Sequence, residues 1–164
     1  DYRIWDCIIA ENGSYIYFPH TELAWSFTSE KFEMAKRILK KSNFPANFGN
    51  AVISVSKAFE TNLRSMLEGI KNSLGFKTNV DEVMVLPRGI DKGVSLKLAL
   101  NYMGIDPKKT IIIGDAENDI DLFTNPGFKV AVANADERLK LFADEVTEKP
   151  STEGVLEVIR KLRM

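Results

Sequence analysis

The chain of 164 residues has little of several features that would assign it to a particular class of protein. It contains a single cysteine, Cys7, which excludes an internal disulfide bond. Its 22 basic and 23 acidic side chains leave a formal net charge of −1, so charge gives no reason to expect binding to nucleic acid or to a membrane surface. All of its apolar runs are much shorter than the roughly 20 residues of a membrane span, and we expect a cytoplasmic protein.

What is present is the composition of an ordinary globular protein, with 45% hydrophobic and 27% charged residues. Three zones differ in pattern. Residues 1–18 contain two short apolar strands on either side of the turn sequence Glu11-Asn12-Gly13. Residues 19–87 predict a compact α+β unit. Residues 88–164 alternate helices with strands.

The α+β zone predicts two helices and several strands. The first helix begins at Thr28 or Ser29, whose side chains can accept a hydrogen bond from a free backbone N–H group. The second is capped by Ser56, carries apolar side chains at helical spacing as far as Leu74 and ends at Gly75. The remaining segments are predicted as a turn at 47–50, a strand at 51–55, and strands at 76–78 and 82–86 joined by a turn at 79–81.

The third zone predicts an α/β fold with a parallel, doubly wound sheet, because its helices alternate with apolar strands. In sheets of this kind, ligands bind at the carboxyl ends of the strands. The strands are predicted at 110–114, 129–133 and 145–147, and the helices at 91–103, 117–123, 136–142 and 152–162.

Charged and polar side chains cluster after the apolar run Ile111-Ile112-Ile113. The segment Gly114-Asp115-Ala116-Glu117-Asn118-Asp119 crowds carboxylates into one strand-to-helix turn, and Mg²⁺ is bound by oxygen ligands of this kind. A second segment, Arg88-Gly89-Ile90-Asp91-Lys92-Gly93, places a lysine at a helix start, where it could neutralise a phosphoryl oxygen or a carboxylate nucleophile. An aspartate after a strand is also a common helix cap, so the residues alone leave both interpretations of Asp115 open.

Together these segments resemble the motifs of the haloacid dehalogenase (HAD) superfamily. The segment 88–93 is similar to its third motif, and 114–119 is similar to its fourth, Gly-Asp-x-x-Asn-Asp. The segment 9–13 resembles the passage from core to cap in the Cof-type subgroup, which has an α+β cap. Within the family, the resemblance suggests archaeal phosphoglycolate phosphatases and sucrose-phosphatase-like enzymes as relatives. The subgroup's C-terminal pattern is matched at 131–135, 143–147 and 153–155.

The resemblance implies a Mg²⁺-dependent phosphatase that acts on a small phosphorylated metabolite, such as phosphoglycolate or a sugar phosphate. It also implies a partial doubly wound core with a small α+β cap. Residues 1–18 would supply a core strand and the core-to-cap hinge, residues 19–87 the substrate-selecting cap, and residues 88–164 the C-terminal half of the core.

The same resemblance implies roles for individual side chains. Lys92 and Asp119 would be catalytic, the lysine by steadying the nucleophile and the phosphate. Asp115 and Asp119 would hold the metal. The implied substrate- or phosphate-binding residues are Asn118, Asn134, Arg88 and Asn12, of which the last two are candidates for substrate or hinge contacts.

The sequence departs from the family pattern in one respect. The family's nucleophile is the first aspartate of an Asp-x-Asp-x-Thr motif, and this motif is not in the sequence. Asp119-Ile120-Asp121 has the spacing but lies inside a predicted helix. The family strands that carry the missing motifs lie between the strand at 7–10 and the strand at 110–114, so we expect 110–114 to have an exposed edge. The chain would then be a fragment, one part of a split protein, or self-associating.

Two other functions remain open. The chain could be a non-catalytic HAD-like binding or regulatory module, which the missing motif favours and the retained Lys92 and Asp115 oppose. It could also be a phosphorelay receiver with Asp115 as the phosphate acceptor. A receiver, however, places its acidic pair at an earlier strand and has no cap-like unit inserted among its strands.

Overall fold

The computed structural model describes residues 1–162, and its contacts divide the chain into two compact units, Asp1–Ser95 and the residues from Leu96 onward. Residues 88–95 therefore group with the first unit. The predicted division into hinge, cap and core at residues 18 and 87 stays a prediction. In the described residues, no helix is both long and apolar enough to cross a bilayer.

The first unit opens with an antiparallel sheet of three strands, β1 (Ile8–Ala10), β2 (Tyr15–Phe18) and β3 (Leu23–Ser26), in that order. The first two strands were predicted, and so was the Glu11–Gly13 turn that joins them. β3 was not predicted, because only Leu23 and Trp25 alternate in it with polar or small residues. It forms by pairing along the whole length of β2.

Helix α1 (Glu30–Lys41) follows and confirms the predicted helix. Ser29 is the cap, and its hydroxyl oxygen accepts the N–H of Phe32 at 3.1 Å. The apolar face of α1 packs against a four-stranded sheet, and Phe32, Ala35 and Leu39 are fully buried in the resulting core.

That sheet is antiparallel throughout and has the order β4 (Asn47–Phe48), β5 (Ile53–Ser56), β7 (Glu82–Pro87), β6 (Leu74–Asn79). The predicted hairpin at its edge is confirmed, with Val80 in its turn at φ 45°. The prediction that 47–50 is only a turn was wrong, since Asn47 and Phe48 pair with β5 and become a short strand.

The second predicted helix was wrong at both ends. Helix α2 spans only Glu60–Met66, follows a 3₁₀ turn and receives no side-chain cap from Ser56. Leu74 opens β6, and Gly75 pairs with Leu86 instead of ending a helix. The apolar spacing gave a wrong prediction because the apolar side chains of this segment are all buried in the same core, whether their backbone is helix, turn or strand.

Helix α3 (Lys92–Tyr102) confirms the helix predicted from Asp91. One carboxylate oxygen of Asp91 accepts the N–H of Val94 at 2.9 Å, which caps the helix start. Gly104, at φ 67°, follows the helix in the left-handed conformation that commonly ends one.

The second unit contains a parallel sheet with the order β10 (Glu145–Val146), β9 (Phe128–Ala131), β8 (Ile111–Gly114), as the alternating pattern predicted. Side chains from β8, β9 and the neighbouring helices form its core. In the described residues, β8 lies at an edge of this sheet and Ile111 is 36% exposed, so the predicted edge is present. The helices of this unit are α4 (Glu137–Lys140) and α5 (Ser151–Lys161).

One predicted helix of this unit, 117–123, is absent. Two 3₁₀ turns, Glu117–Asp119 and Leu122–Thr124, stand in its place. The second ends at Asn125, which is extended at φ −78° and ψ 149° because Pro126 follows it.

Candidate functional site

The carboxyl end of β8 is shaped by a close approach between Gly114 and Asp119. A Cβ atom at Gly114 would lie 2.9 Å from the Cβ of Asp119 and 3.1 Å from a methyl group of Leu139. Only glycine fits here, and its small size lets Asp119 pack directly against the strand end.

Asp119 is buried, with 6% of its surface exposed. Its Oδ2 atom accepts the backbone N–H of Asp115 at 3.0 Å and that of Ala116 at 3.2 Å. Hydrogen bonds to an ionised carboxylate are stronger than those between neutral groups. Asp119 therefore holds the turn that carries Asp115 in a defined conformation.

Asp115 lies at this strand end, as the sequence predicted, and the structure shows that it is exposed. Its carbonyl oxygen accepts the N–H of Asp136 at 2.9 Å, and the carbonyl of Gly114 accepts the N–H of Val132 at 3.2 Å. These bonds join the turn after β8 to the segment after β9. Hydrogen bonds to both its N–H and its C=O group therefore fix the backbone that carries the Asp115 side chain.

A cleft of about 500 Å³ opens at this point in the second unit. It contains the Asp115 and Asp119 carboxylates, two hydroxyl side chains at the start of α5 and an apolar wall. Its lining residues are Ile113, Gly114, Asp115, Asp119, Val132, Ser151, Thr152 and Val155.

Asn134 contacts this cleft through Ser151. Its Oδ1 atom accepts the N–H of Ser151 at 2.7 Å and lies 3.4 Å from the Ser151 hydroxyl oxygen. Ser151 has a φ of 48°, a conformation that side-chain hydrogen bonds help to hold. The sequence prediction missed Ser151 as a cleft residue and used Thr152 only as a helix start, although a Ser-Thr pair before a helix was the available signal.

Arg138 forms an ion cluster after β9 with two acidic residues. It contacts Glu117 at 2.7 Å and Asp136 at 3.2 Å. The hydrogen bond from the Arg138 side chain holds the pKa of Asp136 below its ordinary value, and the hydrogen bonds that Arg138 donates to Asp136 and Glu117 raise its own pKa. Glu117 is therefore paired with Arg138.

Lys92 lies in the first unit, where α3 begins, and the Glu11–Gly13 turn packs on it. A Cβ atom at Gly13 would lie 2.3 Å from the carbonyl oxygen of Asp91 and 2.7 Å from the backbone nitrogen of Lys92. The Ser95 hydroxyl donates to the Gly13 carbonyl. The structure therefore brings Asn12, which is buried, beside the start of the Lys92 helix.

The other two predicted residues have different surroundings. Asn118 is buried within the 3₁₀ turn that also carries Asp119. Arg88 is exposed, and its Nη1 atom donates to the carbonyl oxygen of Asn72 at 2.5 Å. Arg88 therefore secures the segment before β6.

The donor set at the strand end suits a hard divalent cation. Magnesium is usually held by one or two carboxylates and completes its shell with water and substrate phosphate. Asp115 and Asp119 provide two carboxylates beside one cleft. In residues 1–162 the side chains form no group of three or more His, Cys, Asp or Glu suited to a metal.

Comparison with known proteins identifies similar chains. A phosphoglycolate phosphatase of Archaeoglobus fulgidus is 35% identical over 166 residues, a match that covers 96% of this chain and 72% of that protein. Phosphoglycolate phosphatase 2 of Saccharolobus solfataricus is 35% identical over 159 residues, covering 94% of this chain and 66% of that protein. The chain thus spans about two thirds of the length of these relatives.

Solved structures confirm the fold. A haloacid dehalogenase-like hydrolase from Bacteroides thetaiotaomicron superposes with a TM-score of 0.78 at 18% identity, over 95% of this chain and 76% of that one. A HAD subclass IIB sugar phosphatase gives 0.74 at 15% identity, over 96% and 76%. The family model for haloacid dehalogenase-like hydrolases matches residues 7–159. This match and the strand-end motif together show that the chain belongs to the haloacid dehalogenase-like hydrolase family.

Proposed function

We propose that the chain is part of a Mg²⁺-dependent phosphomonoester hydrolase whose substrate is a small phosphorylated metabolite, with phosphoglycolate or a sugar phosphate as the first candidates. The observation that carries the proposal is the exposed Asp115 at the end of β8, fixed by the buried Asp119 and facing a cleft. The names of the archaeal relatives support the substrate class.

In this proposal Asp115 and Asp119 hold the Mg²⁺ ion, which would neutralise charge on the phosphoryl group. Asp119 also keeps Asp115 oriented through the two backbone N–H groups that it binds. Lys92 would bring positive charge to the phosphate and to the attacking carboxylate, where preorganised charge is most effective. Phosphate or substrate contacts are assigned to Asn118, Asn134, Arg88 and Asn12, with Asn134 acting through Ser151.

The nucleophile is proposed to come from outside the sequence given, since the sequence contains no Asp-x-Asp-x-Thr motif. The edge of β8 supports this, because an edge strand presents unpaired backbone groups that another strand can bind. The occupant would be an N-terminal core segment of the same polypeptide or of a separate chain, or a second copy.

A non-catalytic HAD-like module is the second candidate, and the missing nucleophile motif favours it. Hydrolysis of p-nitrophenyl phosphate with Mg²⁺ separates the two. The assay compares this chain alone with the product of the whole coding sequence that contains it. We expect activity only in the latter, and its loss in Asp115→Ala but not in Asp81→Ala, which changes an exposed aspartate of the β6–β7 turn.

Activity that survives Asp115→Ala would contradict the assignment of the metal site. Turnover by the short chain alone would show that the nucleophile lies within residues 1–164. A whole product that hydrolyses neither p-nitrophenyl phosphate nor phosphoglycolate, but still folds, would favour the non-catalytic module.

A further inference from the structure

Arg138 closes a ring of contacts around the backbone of Asp115. The N–H of Asp136 donates to the carbonyl oxygen of Asp115 at 2.9 Å. The Asp136 carboxylate in turn accepts the backbone N–H of Arg138 at 2.9 Å and its side-chain Nε–H at 3.2 Å. The guanidinium group also donates to Glu117, two residues after Asp115, so the four residues are linked in a circle. We call these four residues and the contacts between them the strand-end ring.

The strand-end ring joins two segments that are separated in the sequence. Asp115 and Glu117 follow β8, whereas Asp136 and Arg138 follow β9, the neighbouring parallel strand. All four residues belong to the second unit, so the ring is complete within that unit. The ring therefore fixes the turn after β8 relative to the segment after β9.

The pair formed by Arg138 and Glu117 has the geometry of a strong ion pair. Nη1 of Arg138 lies 2.8 Å from Oε1 of Glu117, and Nη2 lies 2.7 Å from Oε2, so the contact is bidentate. Most ion pairs at a protein surface contribute little, but bidentate pairs and networks of several charges are exceptions. Lysine could not replace this contact, because its single ammonium group has no planar fork of donors.

The ring complements the contacts that Asp119 makes with the same turn. Asp119 accepts the N–H groups of Asp115 and Ala116. The ring binds the Asp115 carbonyl group through Asp136. Asp119 is buried, whereas the Arg138 side chain is 59% exposed. Removing the Arg138 side chain should therefore loosen one side of the Asp115 backbone while the buried Asp119 contacts stay in place.

We propose that Arg138 is a positioning residue for the metal site, which acts through Asp136 and Glu117 to hold Asp115 where its carboxylate can bind Mg²⁺. Magnesium demands near-ideal octahedral geometry, so a small displacement of one carboxylate lowers the affinity. Groups that orient a metal ligand from outside the coordination shell affect metal affinity for this reason. The positioning role rests on the proposed function, which assigns Asp115 to the metal, whereas the ring itself does not.

The positioning role and a simple effect of charge predict opposite results. Arg138 is a cation near a site for another cation, so if its charge alone mattered, its removal would strengthen Mg²⁺ binding. If Arg138 holds Asp115 in place, its removal weakens Mg²⁺ binding. Arg138→Lys separates the two further, because it keeps the positive charge and loses the bidentate contact.

Mg²⁺ binding to the product of the whole coding sequence, measured by titration calorimetry, tests the positioning role. We expect the Kd for Mg²⁺ to rise about tenfold in both Arg138→Met and Arg138→Lys, as is usual when a group that orients a metal ligand is lost. The matched control is Arg160→Met, which changes an exposed arginine of α5. This control should bind Mg²⁺ as the wild-type product does.

Amide hydrogen exchange on this chain tests the ring without metal and without activity. We expect the Asp136 amide to exchange about fivefold faster in Arg138→Met, the effect of losing a well-formed ion pair at the surface, and to be unchanged in Arg160→Met. Glu117→Gln keeps the size of the side chain but removes its charge, and it should act in the same direction. The double variant of Glu117→Gln and Arg138→Met should exchange no faster than Arg138→Met alone, because both changes break the same contact.

Unchanged or tighter Mg²⁺ binding by Arg138→Met, in a protein whose wild-type form binds Mg²⁺, would overturn the positioning role. Wild-type affinity in Arg138→Lys would overturn it as well, since charge would then be sufficient. Unchanged exchange at Asp136 in Arg138→Met would overturn the ring. A wild-type product that folds but does not bind Mg²⁺ would overturn the proposed metal site and the positioning role together. The exchange experiment still decides the ring in that case, so the two failures are distinguishable.

Discussion

The Oδ2 atom of Asp119 lies 3.0 Å from the backbone nitrogen of Asp115 and accepts its N–H. The two aspartates therefore differ in role although they lie in the same short segment. Asp119 is buried and bound to backbone, and Asp115 is exposed at the mouth of the cleft. This difference can be tested on the chain itself.

Asp119→Ala should lower the free energy of unfolding by about 2 kcal/mol, because it leaves two N–H groups without their acceptor. Asp115→Ala should change it by less than about 0.5 kcal/mol, as expected for an exposed side chain. Urea denaturation monitored by circular dichroism measures both. Equal losses in the two variants would contradict the structural role of Asp119.

Gly114→Ala should destabilise the second unit by roughly 1–3 kcal/mol, since the added methyl group overlaps Asp119 and Leu139. Gly69→Ala is the matched control, because a Cβ atom there meets no other atom within 4 Å. Thermal unfolding should show a lower midpoint for Gly114→Ala alone. An unchanged midpoint for Gly114→Ala would mean that the strand end can accommodate the added methyl group without a loss of stability.

Asn134→Ala should loosen the start of α5, because the Ser151 N–H and hydroxyl lose their shared acceptor. We expect a loss of about 1 kcal/mol in stability, the usual effect of a lost cap, and faster exchange of the Ser151 amide. Asn101→Ala, on the exposed face of α3, should cause neither effect. Unaltered exchange at Ser151 would show that α5 does not depend on Asn134.

Arg138→Met should raise the pKa of Asp136 towards its ordinary value of 3.8. The side-chain hydrogen bond from Arg138 is the main cause of the lowered pKa in the folded chain. A carboxyl whose pKa is lowered by folding stabilises the fold above its ordinary pKa, and this contribution is lost as the pH falls through the lowered value. Carboxyl carbon resonances followed by NMR between acidic and neutral pH measure the shift, and an unmoved Asp136 titration would contradict it.

Much of the site could be predicted from local sequence. The run Ile111-Ile112-Ile113 before Gly114 and Asp115 indicated a strand with a carboxylate at its end, and the structure confirms this placement, although Ile111 is exposed at the edge of the sheet. The HAD resemblance drawn from the same segment is confirmed by the family match. These features were predictable because they depend on residues adjacent in the chain.

Other features could not be predicted in this way. The helix expected at 117–123 became two 3₁₀ turns, and the helix expected through Leu74 ended at Met66. In both segments the apolar spacing was compatible with a helix. At Leu74 and Gly75, pairing with the distant strand β7 decided the backbone.

The sequence by itself determined the family, the parallel sheet of the second unit, the helix after Asp91 and the presence of acidic residues at a strand end. The tertiary structure alone decided which of those residues is buried, that Asn134 binds Ser151, and that Glu11 binds the backbone of Asn50. The physical reason is the separation along the chain between the residues that interact. Caps, turns and apolar runs are set by neighbours a few residues away, whereas a side chain's partner 17 or 39 positions along the chain is selected only when the fold brings the two together.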